Sequence, residues 1–191
     1  RFAALKREGR AGLIAYVMAS DPDHETCFEI LRGLPAAGAD VIELGFPFSD
    51  PMADGPSIQR AALRALKAGG SLRKTLELAK RFRETNADTP LILMGYANPI
   101  ESMGYDAFAK AMHAAGADGA IIVDLPPEVD APLRAAFDAN GLSIIRLAMG
   151  CAPQRVRADA TWADSSVDIC AMATLTYADG RRAQLSCAMD G

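Results

Sequence analysis

The chain is short of metal ligands. Its cysteines, Cys27, Cys151, Cys170 and Cys187, include no C-x-x-C pair, and its two histidines, His24 and His113, have no H-x-x-x-H partner. A zinc site needs several such ligands brought together, so this scarcity argues against a metal centre. Free thiols in a reducing cytoplasm explain the cysteines better than disulfides do. No apolar run reaches the roughly 18 residues of a membrane-spanning helix. A formal net charge of −4 gives no basic footprint for nucleic acid. No secretory leader is recognisable, and the chain opens on Arg1 rather than methionine. A cytoplasmic protein with residues preceding Arg1 is therefore expected.

What is present is an alternation. With 191 residues, half of them apolar, the chain can hold one domain, or one domain and an appendage. Short apolar runs at 13–19, 40–45, 91–97, 119–125 and 142–148 read as strands buried on both faces. Amphipathic stretches at 23–37, 57–68, 71–85, 105–115 and 128–139 read as helices. Asp21-Pro22 and Ser71 supply start signals, and Gly38, Gly116 and Gly141 sit where left-handed glycines would end three helices. One local device recurs: "AAGADVIELGFP" at 36–47 returns as "AAGADGAIIVDLP" at 114–126, and more weakly as "DANGLSIIRLA". Strands and helices that alternate over short links imply a parallel sheet with right-handed crossovers. An open doubly wound sheet and a (βα)8 barrel both satisfy this. No G-x-G-x-x-G follows the first strand, so the phosphate-binding glycines of a dinucleotide fold are missing and the barrel is preferred.

The run "VIELGFPFSDPMADGP" at 41–56 sets an acid, Glu43, inside an apolar strand and follows it with a stiff loop holding Asp50 and Asp54. In such barrels the site lies at the carboxyl ends of the strands. A carboxylate stripped of water there has a raised pKa, useful for acid–base work, whereas Asp54 in a polar loop is expected to stay ionised. Two readings of Glu43 stand: a proton-transfer group, or an anchor that pairs with an arginine or an amide and orients the loop. Asp124, at the matching place on the fourth strand, either caps the helix start at Pro126-Pro127-Glu128 or joins the site.

Together "ASDPD", "ELGFPFSDPMADGPSIQ", "LILMGYANPI" and "GADGAIIVDLPPEVDAPLRAAFDANGL" resemble, in order and spacing, the tryptophan synthase α subunit family over residues 1–148. The resemblance implies a partial (βα)8 barrel of about five βα units, of a lyase that splits indole-3-glycerol phosphate into indole and glyceraldehyde 3-phosphate in tryptophan biosynthesis. It implies no metal and no organic cofactor on this chain. Glu43 matches the family's catalytic glutamate, which protonates the indole carbon and helps remove the glyceryl hydroxyl proton. Asp54 matches the aspartate that accepts the indole N–H. Tyr16, Met94 and Leu147 match positions lining the indole pocket, and as apolar strand residues they fit plain core equally well. Asp50 and Asn98 match surfaces facing the β subunit, which carries pyridoxal phosphate in an α2β2 complex and joins the indole to serine. Ser20 stands where the family usually has glycine.

After about Leu147 the resemblance stops, and the family's three further strands and glycine-rich phosphate loops find no match. Turnover by these 191 residues is accordingly doubtful. A non-catalytic module that docks on the β subunit and an inactive chimeric fragment are the competing readings. Residues 149–191 read as an unrelated tail. There, "VDICAMATLTY" and "RRAQLSCAM" flank an Asp179-Gly180 turn, a β-hairpin signal. This tail is similar to a hairpin of the glucose-fructose oxidoreductase-like dehydrogenases. Their nucleotide-binding glycines and catalytic lysine motif have no match, so no dehydrogenase activity is implied.

Overall fold

Five of the apolar runs pair with their sequence neighbours. A computed structural model describes residues 1–125 and 129–144, and the backbone of three later strands. The chain divides into two units, Arg1–Ile145 and Arg146–Gly191. In the first, β1 (Ile14–Met18), β2 (Val41–Gly45), β3 (Leu91–Gly95), β4 (Gly119–Ile122) and β5 (Ser143–Ile144) form a parallel sheet in the order β1-β2-β3-β4-β5. A doubly wound sheet reverses its strand order at a switch point. No reversal occurs here, so the unit is a continuous arc of a (βα)8 barrel.

Around the arc run α1 (Phe2–Glu8), α2 (His24–Gly33), α3 (Pro56–Lys67), α4 (Leu72–Thr85), α5 (Ala97–Met103), α6 (Tyr105–Ala115) and α7 (Ala131–Ala139). Strand side chains alternate between faces. Ile42 and Leu44 of β2, with Leu91 and Leu93 of β3, are buried against Leu31, Phe82, Phe108 and Met112 of the helices. The opposite, inner face carries a smaller cluster, Val41, Ile92 and Ile121, with Met94 and Val123 beside it. Glu43 and Gly45 fall on this inner face by alternation with Ile42 and Leu44.

The repeated "AAGAD" device has a mechanical meaning. Asp40 is buried, accepts the Leu13 N–H at 2.9 Å and returns its own N–H to the Leu13 carbonyl at 2.8 Å. Asp118 does the same at the head of β3, accepting the Leu91 N–H at 2.8 Å and donating to its carbonyl at 2.9 Å. Each carboxylate also takes a guanidinium: Arg10 at 2.7 Å on Asp40, Arg83 at 2.6 Å on Asp118. Gly116 ends α6 at φ 73, and a Cβ there would lie 2.6 Å from Cγ of Arg83. Each aspartate thus staples the start of its own strand to the neighbouring one.

Several boundaries differ from the sequence expectation for local reasons. The cap of α2 is Asp23, whose carboxylate accepts the Thr26 N–H at 2.9 Å, whereas Asp21 pairs with Arg64 at 2.7 Å. That helix stops at Gly33, two residues before Pro35, and Gly38 (φ 104) belongs to the turn that follows. Ser20 occupies the left-handed region at φ 67, which costs a non-glycine residue roughly 1–2 kcal/mol. Its Oγ lies 3.3 Å from Nδ1 of His24, a contact glycine would lack. Ala97, read as strand, opens α5: Pro99 falls in the first turn, where no N–H is needed, and the Ala97 N–H is taken by Asp124 at 2.7 Å. Asp124 therefore caps a helix start on the neighbouring βα unit; residues 126–128 lie outside the described residues. Among the described residues no helix is long and apolar enough to cross a membrane.

In the second unit β7 (Asp168–Thr176) and β8 (Arg182–Ala188) pair antiparallel with Thr176 opposite Arg182. This is the expected hairpin, its Asp179-Gly180 turn outside the described residues. A further strand, β6 (Arg155–Trp162), pairs antiparallel with β7, giving a three-stranded sheet in the order β6-β7-β8. The hairpin is thus part of a meander.

Candidate active site

Glu43 sits mid-strand on β2, opposite Tyr16 of β1 and Ile92 of β3. One row nearer the carboxyl ends, Met18, Gly45, Met94 and Ile121 stand in register across four strands. Glu43 is half-buried, and among the described residues nothing donates to its carboxylate or pairs with it. Burial alone pushes its pKa above the usual glutamate value. The anchor reading, which needed an arginine or an amide, finds neither among the described residues.

The loop after β2 brings the second acid over this row. Gly55 caps α3 and Pro56 occupies its first turn, which fixes where the loop ends. Tyr96, directly after β3, reaches across. Its ring lies 5.5 Å from that of Phe48, its oxygen accepts the Ala53 N–H at 2.9 Å, and its hydroxyl donates to Asp54. Asp54 was expected to stay ionised in a polar loop, but the loop half-buries it. Burial raises its pKa and the Tyr96 hydroxyl pulls it back. The two acids therefore differ in support: Asp54 has a donor and Glu43 has none.

Tyr16 feels both. Its phenol is raised well above its ordinary pKa by burial first, then by Asp54 and Glu43, so it stays neutral. Gly45 leaves the space its hydroxyl fills; a Cβ there would overlap the oxygen. Tyr16, Phe48, Asp54, Met94 and Tyr96 help line a narrow pocket at this end of the sheet. Glu43 is not in this wall and lies one row deeper along its strand.

Of the expected residues, Tyr16, Asp54 and Met94 share the pocket wall, and Glu43 stands mid-strand on the same inner face, opposite Tyr16. Asp50 and Asn98 are exposed, on the β2–α3 loop and in the first turn of α5, both following strand carboxyl ends. Leu147 lies outside the described residues. Tyr96 and Gly45 were missed; a polar aromatic directly after an apolar strand was the available signal. Tyr96→Phe is expected to free the Ala53 amide and cost about 1 kcal/mol, seen as faster exchange of that amide and a lower Tm. Unchanged exchange at Ala53 would remove Tyr96 from this role.

Comparison with known proteins agrees with this fold. A family model described as "Tryptophan synthase alpha chain" matches residues 2–184. The "Tryptophan synthase alpha chain" of Caulobacter sp. (strain K31) is 62% identical over 148 residues, covering 78% of this chain and 54% of that relative. The chain thus spans about half the length of the curated relative it matches. The tryptophan synthase subunit alpha of Legionella pneumophila str. Paris superposes with a TM-score of 0.72 at 47% identity, covering 73% of this chain and 53% of that one. A chain of the tryptophan synthase a2b2 complex from Pyrococcus furiosus gives 0.67 at 39% identity, covering 71% and 55%. With its arc of parallel strands matched by these relatives, the chain belongs to the tryptophan synthase alpha chain family.

Proposed function

We propose that the site is that of a carbon–carbon lyase cleaving indole-3-glycerol phosphate to indole and glyceraldehyde 3-phosphate. The observation that carries this reading is Glu43, a desolvated carboxyl with no partner among the described residues, held beside a pocket whose wall contains a second, supported acid. Glu43 in its protonated form donates to the ring carbon bearing the side chain, leaving positive charge on the indole nitrogen. Asp54, ionised, accepts the N–H and stabilises that charge. The bond from the ring carbon to the side chain then breaks, and its electron pair restores the aromatic ring. The adjacent hydroxyl loses its proton to the now basic Glu43 and becomes the aldehyde. Atoms balance with one proton moved from oxygen to carbon, using side chains alone.

Tyr16 and Met94 pack the ring. Asp50 and Asn98, exposed beyond the strand ends, offer a surface for a β chain that takes up the indole; the Pyrococcus furiosus a2b2 complex supports that partner. The second unit's hairpin resemblance adds no activity to this reading. The test is indole release from indole-3-glycerol phosphate by the full chain, with and without β chain. Asp54→Asn is expected to lower release by about 10²–10³-fold, the range for losing one charge-stabilising group. An unchanged rate in that variant, or no release by the parent chain under either condition, contradicts the proposal.

A further inference from the structure

The hydroxyl of Tyr16 is a donor that the fold leaves without a proper acceptor. Gly45 opens the space it occupies on the inner face. Among the described residues its one hydrogen-bond partner is the thioether of Met18, 4.0 Å away, a weak acceptor. The other hydroxyl in the pocket wall, on Tyr96, is already engaged by Ala53 and Asp54. Met18, Met94 and Phe48 offer no donor, and Asp54 can only accept while ionised. A ligand oxygen entering this pocket thus has one side-chain hydroxyl free to meet it.

We infer that the Tyr16 hydroxyl is a specificity-determining group: it donates to an oxygen on the ligand's side chain and so selects indoles carrying oxygen next to the ring over hydrocarbon-substituted ones. This rests on the indole reading above and goes beyond it, since ring packing alone would be served as well by phenylalanine. The phenol stays protonated beside two carboxylates, so it donates at neutral pH. A site with a waiting donor discriminates against a ligand that leaves it unpaired.

Two probes differ by a single hydroxyl: 3-(hydroxymethyl)indole and 3-methylindole. Titrated calorimetrically into the full chain, the first is expected to bind about tenfold more tightly. Tyr16→Phe brings the ratio to about one while 3-methylindole binds at least as well as before. Gly45→Ala, whose Cβ would collide with the hydroxyl and with Cζ of the ring, displaces the phenol and lowers the preference independently. A ratio near one in the parent, or a parent-like ratio retained in the two variants, overturns the inference and leaves the indole pocket standing. Failure of the parent to bind either probe overturns both.

Discussion

Glu43→Gln is expected to cut indole release by about 10²–10⁴-fold and, at neutral pH, to raise the melting temperature. Both effects have one cause. The fold strips water from the Glu43 carboxyl and, among the described residues, offers no donor in return, so its folded pKa lies above its unfolded one. Between those two values the native state holds the extra proton, and unfolding free energy falls as pH rises through the window. Above it the ionised carboxylate is a standing cost to the fold; below the ordinary glutamate value of about 4.3 the cost is absent. Glutamine removes the charge, so its advantage is present at pH 7 and fades towards pH 4. Gains from relieving such site residues run at about 0.5–2 kcal/mol, a few degrees in Tm for a chain of this size. The same titration shapes the rate: activity falls above the Glu43 pKa, where the proton donor is lost, and below that of Asp54, where the acceptor is lost. A variant that keeps its activity, or that melts lower at pH 7 and unchanged at pH 4, would contradict the assignment.

Asp40→Ala is expected to cost about 2–4 kcal/mol, far more than the same change at Asp118. Asp40 is 1% exposed and holds Leu13, Arg10 and Arg1 together, whereas the Asp118 side chain is 54% exposed and shares Arg83 with backbone carbonyls. Removing Asp40 orphans the amide leading into β1 and frees two guanidinium groups; these are 39% and 46% exposed and regain water, which keeps the loss below that of a fully buried ion pair. Asp40 has a strongly depressed pKa, caused first by Arg10 and then by the Leu13 N–H. The sign is opposite to that of Glu43. Its stabilisation is complete above the ordinary aspartate value of about 3.9 and is lost as pH falls from there towards the folded pKa. Denaturant melts at pH 7 and pH 3 check this: the gap between parent and Asp40→Ala should narrow at the lower pH. Equal losses at Asp40 and Asp118 would mean the two staples carry the same load, contrary to their burial.

Much of the sheet was readable because its strands are covered on both faces, so apolar continuity marked β1 to β4 within two or three residues at each end. Strand order was not readable: an in-order arc and a reversed sheet share the same alternation, and pairing alone separates them. Glu43 was legible as an acid in an apolar run. The burial of Asp54 was not, since it arises from Tyr96 and Phe48 meeting across different βα units. The start of α5 escaped for the same reason, its first amide being capped by Asp124 from the β4 loop. The strand "RVRADATW" of β6 was missed although Val156, Ala158, Ala160 and Trp162 alternate with polar residues, because alanine at two of those places gives the alternation little apolar weight.

The fold keeps Glu43 partly dry and, among the described residues, unpartnered beside the pocket. Carbon-13 NMR of the Glu43 carboxyl across pH 3 to 8 tests it most directly. A midpoint clearly above that of an exposed glutamate, and above that of Glu25, which Arg81 holds low, is the expected result. A midpoint at or below the ordinary value would show a solvated or paired carboxylate and contradict the account.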